Sequence, residues 1–336
     1  MTRVIDTAAF SEKYRRAGVD VPAQRLLITN FRGTAQEPDL SLPPNCGGFG
    51  RIHHFTRATD PGWPPNPLPL DPAARALGLP PRDIILAQAF QNAICNWRCW
   101  YCFVPFDLLA ARPEYSGWHS AASLLDLYQA EPDRAPIIDL TGGQPDLTPE
   151  WVPWMMRELE RRGLRDSVYL WSDDNLSNDY FWKFLSEEDQ AYVATYPTYG
   201  RVGCFKGFDA DSFAFNTKAS ADLFDEQFTI FGRHLRSGVD LYAYATFTTP
   251  TAEGVADGMR SFVDRLQKLD EFLPLRTVPL RITLFNPVGP RLHEEQTAAL
   301  QHQERAIERW QRELDERFTA AQRAANVVDI KIGARR

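Results

Sequence analysis

The sequence predicts an α/β fold with a mainly parallel sheet, on two observations. From about residue 83 short apolar runs alternate with segments of helical spacing, about six times over. The segments that carry unusual chemistry (the clustered cysteines, TGGQP, SDDN and the Lys206 turn) each follow one of those apolar runs. Parallel strands need helical crossovers, and such sheets gather chemistry in the loops at the C-terminal ends of their strands.

The elements follow in order. Residues 1–82 read as an irregular extension, because prolines crowd Pro61 to Pro81 and proline fixes φ and removes a ladder donor. Its Gly-rich stretch Asn45-Cys-Gly-Gly-Phe-Gly, followed by His53 and His54, reads as loop or core, with a lid as the alternative. Ile84 to Ala89 is a strand, and Ser120 to Ala130 a helix with Leu124, Leu125 and Leu127 on or near one face. Ile137 to Leu140 is a buried strand ending in TGGQP. Thr148-Pro149-Glu150 opens a helix, with Thr148 as cap, Trp151, Met155 and Leu159 in helical spacing, and Gly163 as stop. Val168 to Trp171 is a strand, Asn178 to Leu185 a helix, and Val202 to Phe205 a strand. Phe224, Phe228, Phe231 and Leu235 mark a helix that stops at Gly238. Leu241 to Phe247 is a strand, Val255 to Phe272 a helix, and Val278 to Phe285 the last strand. A charged helix spans about Glu294 to Ala325, with a solvated face. The division is therefore 1–82, an extension on the lid or substrate side; 83–290, the α/β core; and 291–336, a helical extension.

Composition narrows the function classes. Of 336 residues 44% are hydrophobic and 24% charged, a globular composition. The net charge of −7 speaks against general binding of nucleic acid, which needs a positive field. No apolar run approaches the roughly 18–20 residues of a membrane span, and the N-terminus lacks an apolar secretory segment. A cytoplasmic protein is expected.

The five cysteines are Cys46, Cys95, Cys99, Cys102 and Cys204. Three of them form Cys95-Asn-Trp-Arg-Cys99-Trp-Tyr-Cys102, a C-x3-C-x2-C spacing. Three thiolates on one short loop can face a common centre, and soft thiolates select iron–sulfur clusters, zinc or copper(I). A structural zinc wants four ligands, with Cys46, Cys204 or His53 available as the fourth; a redox pair from Cys99 and Cys102 would leave Cys95 idle.

With its aromatic residue before the last cysteine, the motif resembles the signature of the radical S-adenosylmethionine (radical SAM) superfamily. The resemblance implies a partial (β/α)6 barrel over residues 83–290. It implies that Cys95, Cys99 and Cys102 hold a [4Fe–4S] cluster, that SAM chelates the remaining iron, and that the backbone near Tyr101 lies along the adenine. A second landmark follows about 40 residues after Cys102: Gly142-Gly143-Gln144-Pro145 is similar to the GGEP segment that meets the SAM amino group, with Gln144 in place of the usual glutamate. Loss of that charge weakens the expected contact. Cys204-Phe205-Lys206 is similar to a strand-end segment of glycyl-radical-enzyme activases, which implies Lys206 near SAM. Cys204 replaces an aspartate that helps bind a monovalent cation there. Asp173-Asp174-Asn175 stands where the activases have Asp-Thr-Asn, so Asp174 and Asn175 either meet SAM or cap the next helix.

The implied activity is reductive cleavage of SAM at one cluster, giving a 5′-deoxyadenosyl radical that takes hydrogen from a substrate the sequence does not name. The implied partner is an external low-potential electron donor such as flavodoxin or ferredoxin. Only Cys46 and Cys204 lie outside the motif, too few for an auxiliary-cluster domain; each is a candidate hydrogen-atom donor. An activase acting on a partner protein and a non-enzymatic iron–sulfur or zinc protein are the alternatives.

Overall fold

The computed structural model describes residues 4–59 and 64–333. Its centre is a seven-stranded sheet curled into a partial barrel. The strands within it are β3 (Gly50–Thr56), β4 (Ile84–Gln91), β6 (Ile137–Thr141), β7 (Tyr169–Asp174), β8 (Tyr199–Phe205), β9 (Leu241–Ala245) and β10 (Thr277–Pro279), in spatial order β10-β9-β8-β7-β6-β4-β3. From β4 to β10 neighbours are parallel and follow chain order, as an unbroken series of crossover connections gives. β3 closes one edge antiparallel to β4, pairing Gly50 with Phe90 through to Thr56 with Ile84. A small antiparallel sheet of β1 (Val19–Asp20), β2 (Arg25–Thr29) and β5 (Ser116–His119) packs beside it, with Ile28 of β2 bridging to Asn92 just past β4.

The helices are α1 (Thr7–Gly18), α2 (Leu70–Ala76), α3 (Ala121–Ala130), α4 (Trp151–Arg161), α5 (Tyr180–Phe184), α6 (Glu187–Thr195), α7 (Ala210–Thr217), α8 (Leu223–Ser237), α9 (Val255–Leu269), α10 (Glu294–Arg317) and α11 (Ala320–Arg323). Helices α3, α4, α8, α9 and α10 cover the outer face of the sheet, whereas α2 packs with inner-face residues through Leu70, Ala73 and Ala74. Ile138, Leu140 and Leu170 pack with Leu124 of α3 and Met155 and Leu159 of α4. Phe205, Ala243 and Ala245 pack with Phe228, Phe231, Phe262 and Trp310 of α8, α9 and α10. The lower inner face is filled by Phe55, Ile85, Ile137, Tyr169, Val202 and Tyr242. Its upper part is polar and frames the site.

The structure corrects several expectations. The first 82 residues hold α1, α2 and three strands rather than only loop. α1 carried a readable signal: Asp6 accepts from Ala9 N at 2.9 Å as N-cap, and the following TAAFSEKYRRAG contains no proline. β3 escaped notice because its apolar alternation is broken by Arg51, His53 and His54, charged or polar residues that the barrel interior accepts. Pro61, at the start of the proline-rich stretch, lies outside the described residues; the later prolines include Pro72 inside α2.

Thr148 does not cap α4. Its hydroxyl serves Pro145 O and accepts from Asn92, and the helix begins at Trp151 after a 3-10 turn over Pro145–Leu147. The helix placed at Asn178 begins at Tyr180, where Asn178 Oδ1 accepts from the Tyr180 N–H at 3.0 Å. α6 and α7 are additional helices. The last strand ends at Pro279, and the backbone beyond it is satisfied by a side chain instead: Gln303 of α10 accepts from Ile282 N and donates to Ile282 O, each at 2.9 Å. The charged C-terminal helix breaks at Phe318, and α11 restarts under a Thr319 cap.

Candidate active site at the barrel rim

The C-terminal ends of the parallel strands surround one cavity of about 220 Å³. The cysteine loop follows β4, the GGQP turn follows β6, Asp173-Asp174-Asn175 ends β7, and Cys204 to Lys206 ends β8. Chain segments more than 100 residues apart in sequence meet here because every parallel strand ends on the same rim.

The cysteine loop is held from below by its aromatic residues. Trp97 and Trp100 are fully buried; Trp97 Nε1 donates to Thr7 Oγ1 at 3.1 Å and Trp100 Nε1 to Asn216 Oδ1 at 3.0 Å. Cations brace its carbonyls. Arg98 Nη1 donates to Cys95 O and Trp97 O, both at 2.8 Å, and Arg291 Nη1 donates to Cys102 O at 2.6 Å. Cys95 is buried, while Cys99 and Cys102 are half-buried. Burial pushes the Cys95 thiol up and the Cys99 thiol up to about 12, partly offset by Arg98 and Lys206 respectively. Such thiols ionise when a soft metal takes the proton's place.

Among the described residues, the three loop sulfurs do not form a set within 4.8 Å of one another. One zinc ion holding thiolates at about 2.3 Å needs its sulfurs roughly 4 Å apart.

The GGQP turn docks against this loop. Gly142 and Gly143 have φ of 63° and 58°, and a Cβ on Gly143 would stand 2.1 Å from Ile94 O and 2.6 Å from Asn92 O. Gly143 therefore admits the backbone that leads into the cysteine loop, whereas Gly142 makes room for the Gln91 side chain, and Gln144 N donates to Ile94 O at 2.8 Å. Gln144 is fully buried. Its Nε2 donates to Asp174 Oδ1 at 2.8 Å and its Oε1 accepts from Asn175 N at 2.9 Å. Both ends of its amide are thus engaged within the protein.

Asp174 points to the outer face. It accepts from Leu176 N at 2.8 Å, and its other oxygen stands 3.5 Å from His234 Nε2 and 3.9 Å from Arg201 Nη2. Arg201 also pairs with Asp146. Against the upward push of burial, His234 and Arg201 hold Asp174 down at about 2; burial and Arg201 push His234 down to about 4. Asn175 reaches the cysteines, with Nδ2 4.0 Å from Cys95 Sγ and 3.2 Å from Asn96 Oδ1.

Lys206 lines the cavity with its chain half-buried. Burial would lower it, but the facing Cys204, Tyr101, Cys99 and Cys102 groups raise it, so it stays cationic. Tyr101 lines the same space and donates to Thr246 Oγ1 at 3.2 Å.

Of the residues singled out from sequence, Tyr101, Cys102, Gly142, Gly143, Gln144, Asp174, Asn175, Cys204 and Lys206 border the cavity. Cys95 and Cys99 belong to the same loop but are not among the residues that line the cavity. Pro145 is buried behind it, starting the 3-10 turn. The structure does not bring Cys46 to the cavity: it packs with Leu26, Ile28 and Leu124, and its N–H donates to Glu131 at 2.7 Å.

Sequence reasoning missed Gln227 and Asn216. Gln227 donates to Asn175 O at 3.1 Å and Cys204 O at 3.2 Å and accepts from Lys206 N at 3.2 Å, tying the ends of β7 and β8 together. Asn216 donates to Lys206 O at 2.8 Å and Thr248 O at 3.0 Å. Both are polar residues on buried helix faces, a signal visible only once those faces are known. Arg51 and Asp139, on the inner sheet face, were also unassigned; His53 was read only as a loop or core residue or a fourth zinc ligand, and Asp173 only as part of the strand-end segment.

No family model matches the chain, and no curated protein does. Among solved structures, SuiB of Streptococcus suis bound to S-adenosylmethionine aligns over 67% of this chain and 46% of its own, at 14% identity and a TM-score of 0.42. SuiB bound to the precursor peptide SuiA aligns over 53% of this chain and 36% of its own, at 13% identity and a TM-score of 0.37. The aligned part is thus less than half of either neighbour's length. A likeness this slight fixes neither activity nor substrate.

Proposed function

We propose that this protein is a radical SAM enzyme, with Cys95, Cys99 and Cys102 holding a [4Fe–4S] cluster at the mouth of the barrel cavity. The observation that carries the reading is one juxtaposition: the C-x3-C-x2-C loop after the first parallel strand lies against the glycine turn after the second, with a cationic lysine facing both. When bound, the cluster and SAM supply reductive C–S cleavage and a 5′-deoxyadenosyl radical that abstracts hydrogen.

The chain's own residues have separate tasks. The three cysteines supply thiolates, and Arg98, Arg291 and Lys206 offset their charge. Tyr101 and the backbone of Gly142 and Gly143 line the cofactor side. Gln144 serves this side chiefly by fixing Asp174 and Asn175, and Pro145 by starting the turn behind it. Lys206 offers its ammonium to an anionic group of the cofactor. Phe55, Phe103, Trp171 and Phe285 wall the cavity with apolar surface, which keeps water from a reactive radical. An external electron donor is required.

Anaerobic reconstitution with iron and sulfide, then reduction and addition of SAM, tests the reading. The expected results are absorbance near ~400 nm and formation of 5′-deoxyadenosine. Cys99→Ala should abolish both. A variant that keeps them, or a wild-type protein that takes up one zinc ion and no iron, defeats the assignment.

A further inference from the structure

One residue at the rim, Asn175, is held from three directions. It follows β7 and is 7% exposed. Its N–H donates to Gln144 Oε1 at 2.9 Å, and its carbonyl accepts from Gln227 Nε2 at 3.1 Å. The next residue, Leu176, is fully buried with a φ of 60°, a left-handed conformation that a branched side chain seldom takes. Strain of that kind persists where the surroundings fix it, and here Asp174 Oδ1 accepts from the Leu176 N–H at 2.8 Å. Two glutamines and a left-handed turn together fix where one amide side chain points.

Neighbouring hydrogen bonds decide which way that amide faces. The Ser11 hydroxyl donates to Thr7 O at 2.7 Å, so its oxygen accepts from Asn96 Nδ2 at 2.9 Å. Asn96 Nδ2 also donates to Ser177 Oγ at 2.7 Å. Asn96 therefore turns its oxygen toward Asn175, and Asn175 answers with its Nδ2 at 3.2 Å. That leaves the second N–H of this Nδ2 for Cys95 Sγ, 4.0 Å away. Asn175 Oδ1 has no hydrogen-bond partner among the described residues, so nothing pulls the amide round the other way. Cys95 is the most buried of the three loop thiols, and its sulfur also accepts from the Trp97 N–H. The sulfur becomes a thiolate when it binds metal, and a charged acceptor draws its donors closer.

We propose that Asn175 sets the electron affinity of the cluster by donating from Nδ2 to the Cys95 thiolate. This rests on the reading that Cys95, Cys99 and Cys102 hold a [4Fe–4S] cluster. Reduction adds one electron from the external donor and no proton, so the negative charge on the sulfurs rises. An N–H aimed at a sulfur gains from that extra charge and stabilises the reduced form over the oxidised one. The effect is greatest at Cys95, where burial keeps water from doing the same. Asn175 thus acts on electron entry through a ligand of the cluster, apart from any contact it makes with the cofactor in the cavity.

Redox titration of the reconstituted protein without SAM, followed by the EPR signal of the reduced cluster, tests this. Asn175→Leu keeps the size of the side chain and removes the donor. It should shift the one-electron equilibrium toward the oxidised form by ~5-fold, a midpoint ~40 mV lower at ~59 mV per tenfold. A loosened loop that admits water would raise the midpoint instead, so the sign separates the two causes. If Asn175→Leu takes up no iron, wild-type protein isotopically labelled at its asparagine side-chain nitrogens carries the test. Its reduced cluster should show a nitrogen coupling in pulsed EPR, since the Asn96 nitrogen faces the two serines. A midpoint that moves by less than ~2-fold (~18 mV), a midpoint that rises, or an absent coupling overturns the proposal. A protein that assembles no iron–sulfur cluster defeats both this role and the radical SAM reading. One that shows the shift yet makes no 5′-deoxyadenosine defeats the radical SAM reading alone. One that cleaves SAM with an unmoved midpoint defeats the role of Asn175 alone.

Discussion

Asp173 and Asp174 are chain neighbours with opposite fates. Asp173 turns into the barrel, where burial and Asp139 push its carboxyl up to about 7. Asp174 turns outward into a fully buried cluster with Arg201, Asp146 and His234, which holds it ionised at about 2 despite burial. A strand sends successive side chains to opposite faces, so one residue of register separates a structural anion from a titratable group in the cavity. The outer cluster fixes Gln144 and Asn175 and so shapes the rim. The inner pair remains adjustable. Rigidity and reactivity are divided between the two faces of one sheet.

The largest effect that would sharpen this contrast is expected from Arg201→Met. It leaves Asp146 and Asp174 buried without their cation, so stability in urea should fall by ~3–5 kcal/mol. A loss under ~1 kcal/mol would mean that the outer cluster does not anchor the rim.

Gly143→Ala should come next. The new Cβ has no space beside Ile94 O, and the left-handed φ disfavours alanine, so a loss of ~1–3 kcal/mol is expected, with weakened iron binding after reconstitution. Normal iron content and an unchanged unfolding midpoint would show that the two turns move independently.

The smallest effect, and the most direct on the comparison, is in pH. Asp139 and Asp173 have folded-state values above the ordinary carboxylate range, so the folded protein binds more protons than the unfolded chain between about 4 and about 7. Their contribution to stability is full below the unfolded value and is lost as pH rises through about 7. Asp174, held down, contributes in the opposite sense: its stabilisation is present above the unfolded value and is lost only as pH falls toward about 2. Asp139→Asn/Asp173→Asn should therefore flatten the decline in stability from pH 4 to 7 in denaturant titrations. Asp174→Asn should leave that slope and lower stability by ~1–3 kcal/mol at neutral pH. A double variant with the wild-type slope would remove the distinction between the faces.

Much of the α/β core was legible because buried parallel strands are short apolar runs and their crossovers keep helical spacing. Ile137 to Leu140, the Phe224 helix and its Gly238 stop needed nothing more. The cysteine loop and glycine turn were legible for a different reason: their chemistry depends on residue types at fixed local spacing. β3 was not, because Arg51 and His53 are tolerated inside only where Asp139 and Asp173 face them from other strands. Gln303 likewise replaces a strand partner for Ile282 across 21 residues, a service no local pattern announces.

By itself the sequence determined the order of strands and helices and which loop carries three thiols, since both follow from local periodicity and spacing. Only the tertiary structure decided which carboxyls are anchors and which face the cavity, that Gln144 is spent on Asp174 and Asn175, and that Cys204 but not Cys46 reaches the site. Those outcomes depend on which face of a strand meets which distant residue, and burial and charge act through space rather than along the chain.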